Sequence, residues 1–286
     1  MIQIESIIKD IPAIVGVAAR HLQIDKKFYH KSEDIFFTAS TLKVPLIFEL
    51  YRQVDEGIID PAKRIVINDD NKTPGSGVLK DLTAGVNLTI YDLATLMIII
   101  SDNTATDILY NLVGRNRLHQ TLFDLNLKNT SIPMSCKELL YSMYGVNTKD
   151  INEAIEIVKD KLSKGDVVLE SEALSEDKSD VSSPNDMINL MEIIYKRELL
   201  TKKSSEIILD IMYRQQASTI IPYLLPPDVK TFHKTGGVTS VRCDVGIVQG
   251  KSGPYSIAIM AKNVRNNMNI DINLAKISKA VYDFFN

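Results

Sequence analysis

The stretch VKTFHKTGGVTSVRCDVGIVQGKSGPYSIAIMAKN, Val229 to Asn263, is dense in aliphatic and β-branched residues and punctuated by Gly and Ser. Three runs within it, VKTFHKTGG, RCDVGIVQG and YSIAIMAKN, read as successive strands, with a hairpin turn over Gly250 to Gly253. At the other end of the chain, alternating apolar residues in AIVGVAARHL and KKFYHK predict two more strands, joined near Asp25. After the last strand, Ile272, Leu274, Ile277, Val281 and Phe284 recur at helical spacing from about Asp271 to Phe285.

The middle of the chain is mostly helical in pattern. One helix is expected from Thr41 to Glu56, stopped at Gly57, and another opens at the capping-box pair Thr89 and Asp92 and runs through Ile100. Thr104 and Asp107 repeat that signal for a helix ending at Gly114, and two more are expected from Asp186 to Leu200 and from Ser204 to Gln216. The Ser-, Asp- and Glu-rich segment from Lys161 to Asn185 reads as loop. Strands at both ends around a helical insert predict an α+β fold, with one sheet built from both termini and an all-α lobe between them. The expected division is 1–38 with 228–286 for the sheet lobe and 39–227 for the all-α lobe.

With 286 residues, 45% of them apolar and 24% charged, the chain has the composition of a soluble globular protein of one or two domains. A net charge of -3, with scattered Lys and Arg, argues against a nucleic-acid partner. Cys136 and Cys243 lack a CxxC spacing and read as two free thiols in a reducing compartment rather than a disulfide. The histidines His21, His30, His119 and His233 show no metal-ligand spacing, so no metal or cofactor is expected. Glu5, Lys9 and Asp10 interrupt the apolar N-terminus, which therefore lacks the core of a signal peptide, and no run is long enough to span a membrane. As given, the chain reads as cytoplasmic; an exported protein whose leader had been removed would look the same.

The stretch FFTASTLKVP, Phe36 to Pro45, puts Lys43 three residues after Ser40 at the start of an apolar helix. Residues at that spacing share a face, and a lysine near buried surface loses solvation, which disfavours its charge and makes it a base for the serine hydroxyl. The competing reading is a Ser cap followed by a lysine reaching back to water. Ser6/Lys9 and Ser175/Lys178 repeat the tetrad, so context decides.

Two further signals supply that context. In LATLMIIISDNTATDILYNLVG an apolar helix is broken by Ser101-Asp102-Asn103, where a helix cap accounts for one polar residue but not three. Ser101 could relay a proton and Asn103 could bond a substrate amide. Lys234-Thr235-Gly236-Gly237 places an ammonium on a strand followed by glycines that let a substrate lie along the backbone. The amide of Gly237 could join that of Ser40 in an oxyanion hole. Lys251-Ser252-Gly253 resembles that run but falls in the hairpin turn and reads as solvated surface.

Ser40-Thr-Leu-Lys43, Ser101-Asp-Asn103 and Lys234-Thr-Gly236, in that order, resemble the motifs of class A β-lactamases and the related penicillin-binding serine peptidases. The similarity extends over most of the chain. It implies the fold of that group, an antiparallel sheet from both termini beside an all-α lobe, with the active site at the lobe interface. It implies that Ser40 is the acylated nucleophile, Lys43 its proton acceptor and Ser101 the relay. It further implies that Asn103 holds the substrate amide and that Lys234 and Thr235 bind the substrate carboxylate, helped by Arg242. Gly236 and Gly237 would then line the substrate strand.

One part of the pattern is missing. Class A enzymes carry a glutamate that activates the deacylating water, in a Glu-x-x-Leu-Asn stretch that this chain lacks. The glutamate position falls near Cys136, with Glu138 two residues on, and an aspartate near the end of that loop is kept as Asp180. Tyr144 to Gly165 looks like an extra helix of this chain's own. Glu138, Glu170 and Glu172 are candidate bases that read equally as solvated surface carboxylates, with Glu138 nearest the expected place.

The expectation is a serine hydrolase, a monomer acting on a small molecule: a β-lactam, peptide or ester. A D-Ala-D-Ala peptidase or esterase of the same fold, or a penicillin binder that does not hydrolyse, is the alternative.

Overall fold

The computed structural model describes residues 1–264 and 270–286. Along the chain run α1 (Ile2–Lys9), β1 (Ile14–His21), β2 (Lys27–His30) and β3 (Phe36–Phe37), then a 3-10 turn over Ala39–Leu42 and α2 (Lys43–Asp55). Next come β4 (Arg64–Ile67), β5 (Val86–Thr89), α3 (Ile90–Ile99), α4 (Asn103–Val113) and α5 (Arg115–Asp124). They are followed by α6 (Cys136–Tyr144), α7 (Ile151–Lys164), β6 (Val181–Ser182), α8 (Pro184–Lys196) and α9 (Lys202–Tyr213). The chain ends with β7 (Thr231–Val238), β8 (Val241–Gly250), β9 (Gly253–Lys262) and α10 (Ile270–Phe285).

The fold is α+β, and its sheet joins both chain ends. Five antiparallel strands lie in the order β2-β1-β9-β8-β7, so the two N-terminal strands extend the C-terminal meander. The hairpin falls where the glycines place it, with Gly250 paired to Gly253. Two compact units divide the chain: residues 1–42, 127–130 and 181–286 form the first, and residues 43–126 and 131–180 the second. The first thus includes α8 and α9, which the sequence reading assigns to the helical lobe.

Within the first unit, alternate residues of β1 and β9 face opposite layers. Val15, Val17, Ile257 and Ile259 pack with Ile4, Leu274 and Val281 of α1 and α10. The other face meets α8: Arg20 of β1 donates to Asn189 and pairs with the buried Glu192, which also accepts from Ser256 of β9. With Lys196 of α8 as a third donor, the buried acid is compensated, and its bonds to Arg20 and Ser256 tie α8 to the strands.

In the second unit α2 is the centre. Residues 43–51 of α2 are buried without exception, including Glu49. That carboxylate accepts from Arg52, Gln53, Thr121 and Arg117, so four donors offset its desolvation. A β4–β5 ribbon and α3 to α7 complete the unit.

Several helix boundaries differ from the pattern-based reading, and each has a local cause. The first turn of the Thr41-to-Glu56 segment is 3-10, entered through Ala39 at φ 42°, so the α-helix starts only at Lys43. Asp102, not Thr104, caps α4 by accepting from the Ala105 amide. Asp107 instead accepts from the Cys136 and Lys137 amides and so caps α6. Ser183 caps α8, which stops at Arg197, and Thr201 caps α9. Lys161 to Asn185 is loop only in part: α7 runs to Lys164, Glu172–Leu174 makes a 3-10 turn, and β6 and α8 begin before Asn185. Helices α1, α5 and α6, of eight, ten and nine residues, are short and were not expected from the sequence.

Candidate active site

The second unit brings two of the sequence signals together at Lys43. This side chain is fully buried at the head of α2, inside an apolar run that offers it no water. Its Nζ donates to Ser101 O (2.7 Å), Ser101 Oγ (3.0 Å) and Asn103 Oδ1 (2.9 Å). Three donors meet three acceptors, as a buried ammonium requires. Burial pushes its pKa below the ordinary 10.5, while the nearby Cys136, Asp102 and Asp107 act in the opposite direction. Of the three acceptors only the Ser101 hydroxyl can reverse its bond. When Lys43 is neutral, its two N–H groups can serve the carbonyl oxygens while its lone pair accepts from Ser101 O–H.

The backbone between α3 and α4 is shaped to make this possible. Ser101 has φ 58°, a left-handed conformation that a serine adopts at a cost and that turns both its carbonyl and its hydroxyl toward Lys43. Asp102 points the other way: besides capping α4, its Oδ2 accepts from the Val78 and Leu79 amides at 2.7 and 2.9 Å. Asn103 is held from behind, donating its Nδ2 to Pro74 O and its backbone amide to Ser76 O, each at 3.0 Å. Of the three polar residues, one is a cap and loop anchor, and the other two serve the lysine.

Ser40 and Lys234 belong to the first unit. Ser40 sits in the 3-10 turn that packs on β7, one residue after the strained Ala39. The approach is close at Gly236, where an added Cβ would lie 2.7 Å from Thr38 O and 3.0 Å from the Ser40 nitrogen. Only glycine admits that contact. Lys234 shares the strand face of Gly236, is fully buried, and donates to Thr235 O at 2.7 Å. Thr235 and Gly237 take the opposite alternation, and Gly237 pairs with Arg242 of β8. Arg242 Nη1 donates to Val241 O (2.7 Å), and its Nε lies 3.5 Å from Asp271 Oδ1. Beneath the run, buried His233 lies 2.9 Å from Asp244 Oδ1, and Asp244 Oδ2 accepts from the Ile221 amide.

Glu138 has other work. It is the N3 residue of the α6 capping box, accepting from the Ser135 amide, and pairs with Arg115 at 2.7 Å on the surface. Cys136, two residues before it, is buried with its amide bonded to Asp107; burial drives its thiol pKa well up, which leaves it protonated. Asp180 is fully buried, accepts from the Met134 amide at 2.9 Å, and is pushed well above the ordinary carboxylate range by desolvation. Glu172 pairs with Lys178 on the surface, and Glu170 is exposed. Both cysteines are free. Among the described residues no helix is long and apolar enough to cross a membrane.

Asp107 is the group near Lys43 that the sequence reading assigned elsewhere. Its signal was a polar residue on the apolar side of α4, four positions beyond Asn103.

The family model described as Beta-lactamase enzyme family matches residues 2–285. The chain therefore belongs to the β-lactamase enzyme family. Among solved structures it is similar to a β-lactamase from Sphaerobacter thermophilus DSM 20745, with TM-score 0.82 and 24% identity, covering 99% of this chain and 96% of the other. It is also similar to PBP-A, with TM-score 0.81 and 26% identity, covering 99% and 94%. A PBP-A variant in which a leucine is replaced by glutamate, solved as an acyl-enzyme complex with penicillin G, matches with TM-score 0.79 and 26% identity, covering 99% and 94%. No curated protein matches significantly.

Proposed function

We propose that the protein is a serine hydrolase that forms an acyl-enzyme on Ser40 with β-lactams or related amides and esters. The observation that carries this reading is the buried Lys43, bonded to both Ser101 and Asn103. A lysine that only reached back to water would not be sunk beneath those two polar residues. In this reading Lys43, as the neutral amine, takes the Ser40 proton, and Ser101 passes it to the leaving nitrogen or oxygen. The second N–H of Asn103 Nδ2 holds the substrate amide. Lys234 and Thr235 bind the substrate carboxylate, with help from Arg242. The amides of Ser40 and Gly237 stabilise the oxyanion, and Gly236 keeps the strand low enough for the substrate. PBP-A, solved as an acyl-enzyme complex with penicillin G in its glutamate variant, supports the proposal.

A second reading concerns turnover. Glu138 is committed to a cap and an ion pair, and Cys136, near the position expected for the family's glutamate, is a buried thiol held protonated by its burial. This supports an acyl-enzyme that deacylates slowly, as a peptidase or penicillin-binding protein would, over an efficient β-lactamase. The test of the first claim is gel labelling with a fluorescent penicillin. Wild type should be labelled and Ser40→Ala should not; equal labelling of the two would rule out Ser40.

A further inference from the structure

The second unit holds a pocket of about 240 Å³ between α4, the 3-10 turn over Asp69–Asn71 and the start of α6. Sites for drug-sized molecules begin at roughly 300 Å³, so this one fits a single compact ligand. Asp107, Ile108 and Asn111 line it from one face of α4, and Ile65 of β4 adds a second apolar side chain. Asp107 is buried and its carboxylate is filled, with Thr73 Oγ1 and the Cys136 and Lys137 amides donating to it. The Glu138 amide donates to Ser135 Oγ, so the first three amides of α6 are taken. What the pocket offers a ligand is side chains. Two of them carry opposite charges and do not meet. Among the described residues Asp70 makes no ion pair or side-chain hydrogen bond, and the Lys137 ammonium donates only to the backbone oxygen of Asp70, at 3.3 Å. The neighbouring charges do pair, with Lys72 Nζ 2.8 Å from Asp69 Oδ1. The Asn111 carboxamide has no partner among the described residues either.

We infer that this pocket binds a free α-amino acid with a small uncharged side chain, at a site built without Ser40, Lys43 or Lys234. Asp70 accepts from the ligand's ammonium, Lys137 donates to its carboxylate, and Asn111 can serve either end. Ile65 and Ile108 cover the side chain. A simple anion would be repelled by Asp70 and a simple cation by Lys137, so only a molecule carrying both signs gains at both. The inference goes beyond the proposed function and does not depend on it.

The test is an amide NMR titration of the full chain with alanine, with N-acetylalanine and alaninamide, which each lack one of its charges, and with glucose. Alanine should give saturable shifts centred on Lys137 and Asn111, and glucose none. Each single-charge analogue should bind about fivefold more weakly or worse, and so should alanine to Asp70→Asn and to Lys137→Gln. Both variants replace exposed or partly exposed side chains and should keep the wild-type melting temperature. Asn111→Trp, which fills the pocket, should abolish the shifts. No saturable shift up to about 50 mM alanine overturns the inference. Equal affinity for the single-charge analogues, or undiminished affinity in both charge variants, overturns it too. Shifts with glucose as large as those with alanine would mark a polyol site, and shifts centred on Ser40 and Lys234 would put the amino acid in the candidate active site; either result contradicts the assignment.

Discussion

Lys43 carries the account at the scale of single residues. Its lowered pKa means that the neutral amine appears at lower pH than for a free lysine. The folded-state pKa lies below the unfolded one, so the site favours the deprotonated form, and that contribution to stability is lost as pH falls through the folded value. Acylation, which needs the neutral base, should rise with pH to a plateau whose midpoint lies below 10.5. Lys43→Ala should lower the acylation rate about 10²–10⁴-fold, the usual worth of a general base. Stopped-flow acylation from pH 5 to 10 checks both; a pH-independent rate, or a Lys43→Ala enzyme of undiminished rate, would exclude the lysine as base. Ser101 and Asn103 were legible beside it because they break an apolar run. Asp107 was misread because its carboxylate serves a helix of distant sequence, and a Thr–Asp spacing looks the same whether it caps its own helix or another.

Among the elements, it was mostly the longer ones that were legible. The β7, β8 and β9 meander was readable because its strands are long and continuous and its second hairpin is bounded by Gly250 and Gly253. Helix α6 was not, although the Ser135–Glu138 capping box marks its start locally, because its nine residues begin in the segment laid against the family's loop. The α7 helix shows in the sequence as an addition to the family's pattern. At β7 the close approach at Gly236 gives a direct prediction. Gly236→Ala puts a methyl group against the backbone oxygen of Thr38, which has no rotamer to yield. It should lower stability by about 1–3 kcal/mol in urea unfolding and cut acylation of Ser40. A variant of wild-type stability and labelling would show that the strand and the 3-10 turn are not held as tightly as described.

For the molecule as a whole, the α+β class and the sheet made from both termini follow from where the strand patterns fall. The division at α8 and α9 does not, because an amphipathic helix carries no mark of which layer it will cover. The family membership and the missing glutamate lead to a kinetic expectation. If acylation is intact and no carboxylate is aimed at the deacylating water, the second step loses about 10²–10⁴-fold, roughly 3–5 kcal/mol of barrier. Glu138→Gln should then leave the slow phase unchanged, at most costing the cap and ion pair some stability. The most direct measurement is a time course of intact-protein mass with penicillin G, with peptide mapping of the adduct. The account predicts one penicillin per chain, attached at Ser40, formed in a burst and persisting well beyond it. Rapid turnover with no adduct, abolished by Glu138→Gln, or an adduct at any other residue, would contradict it.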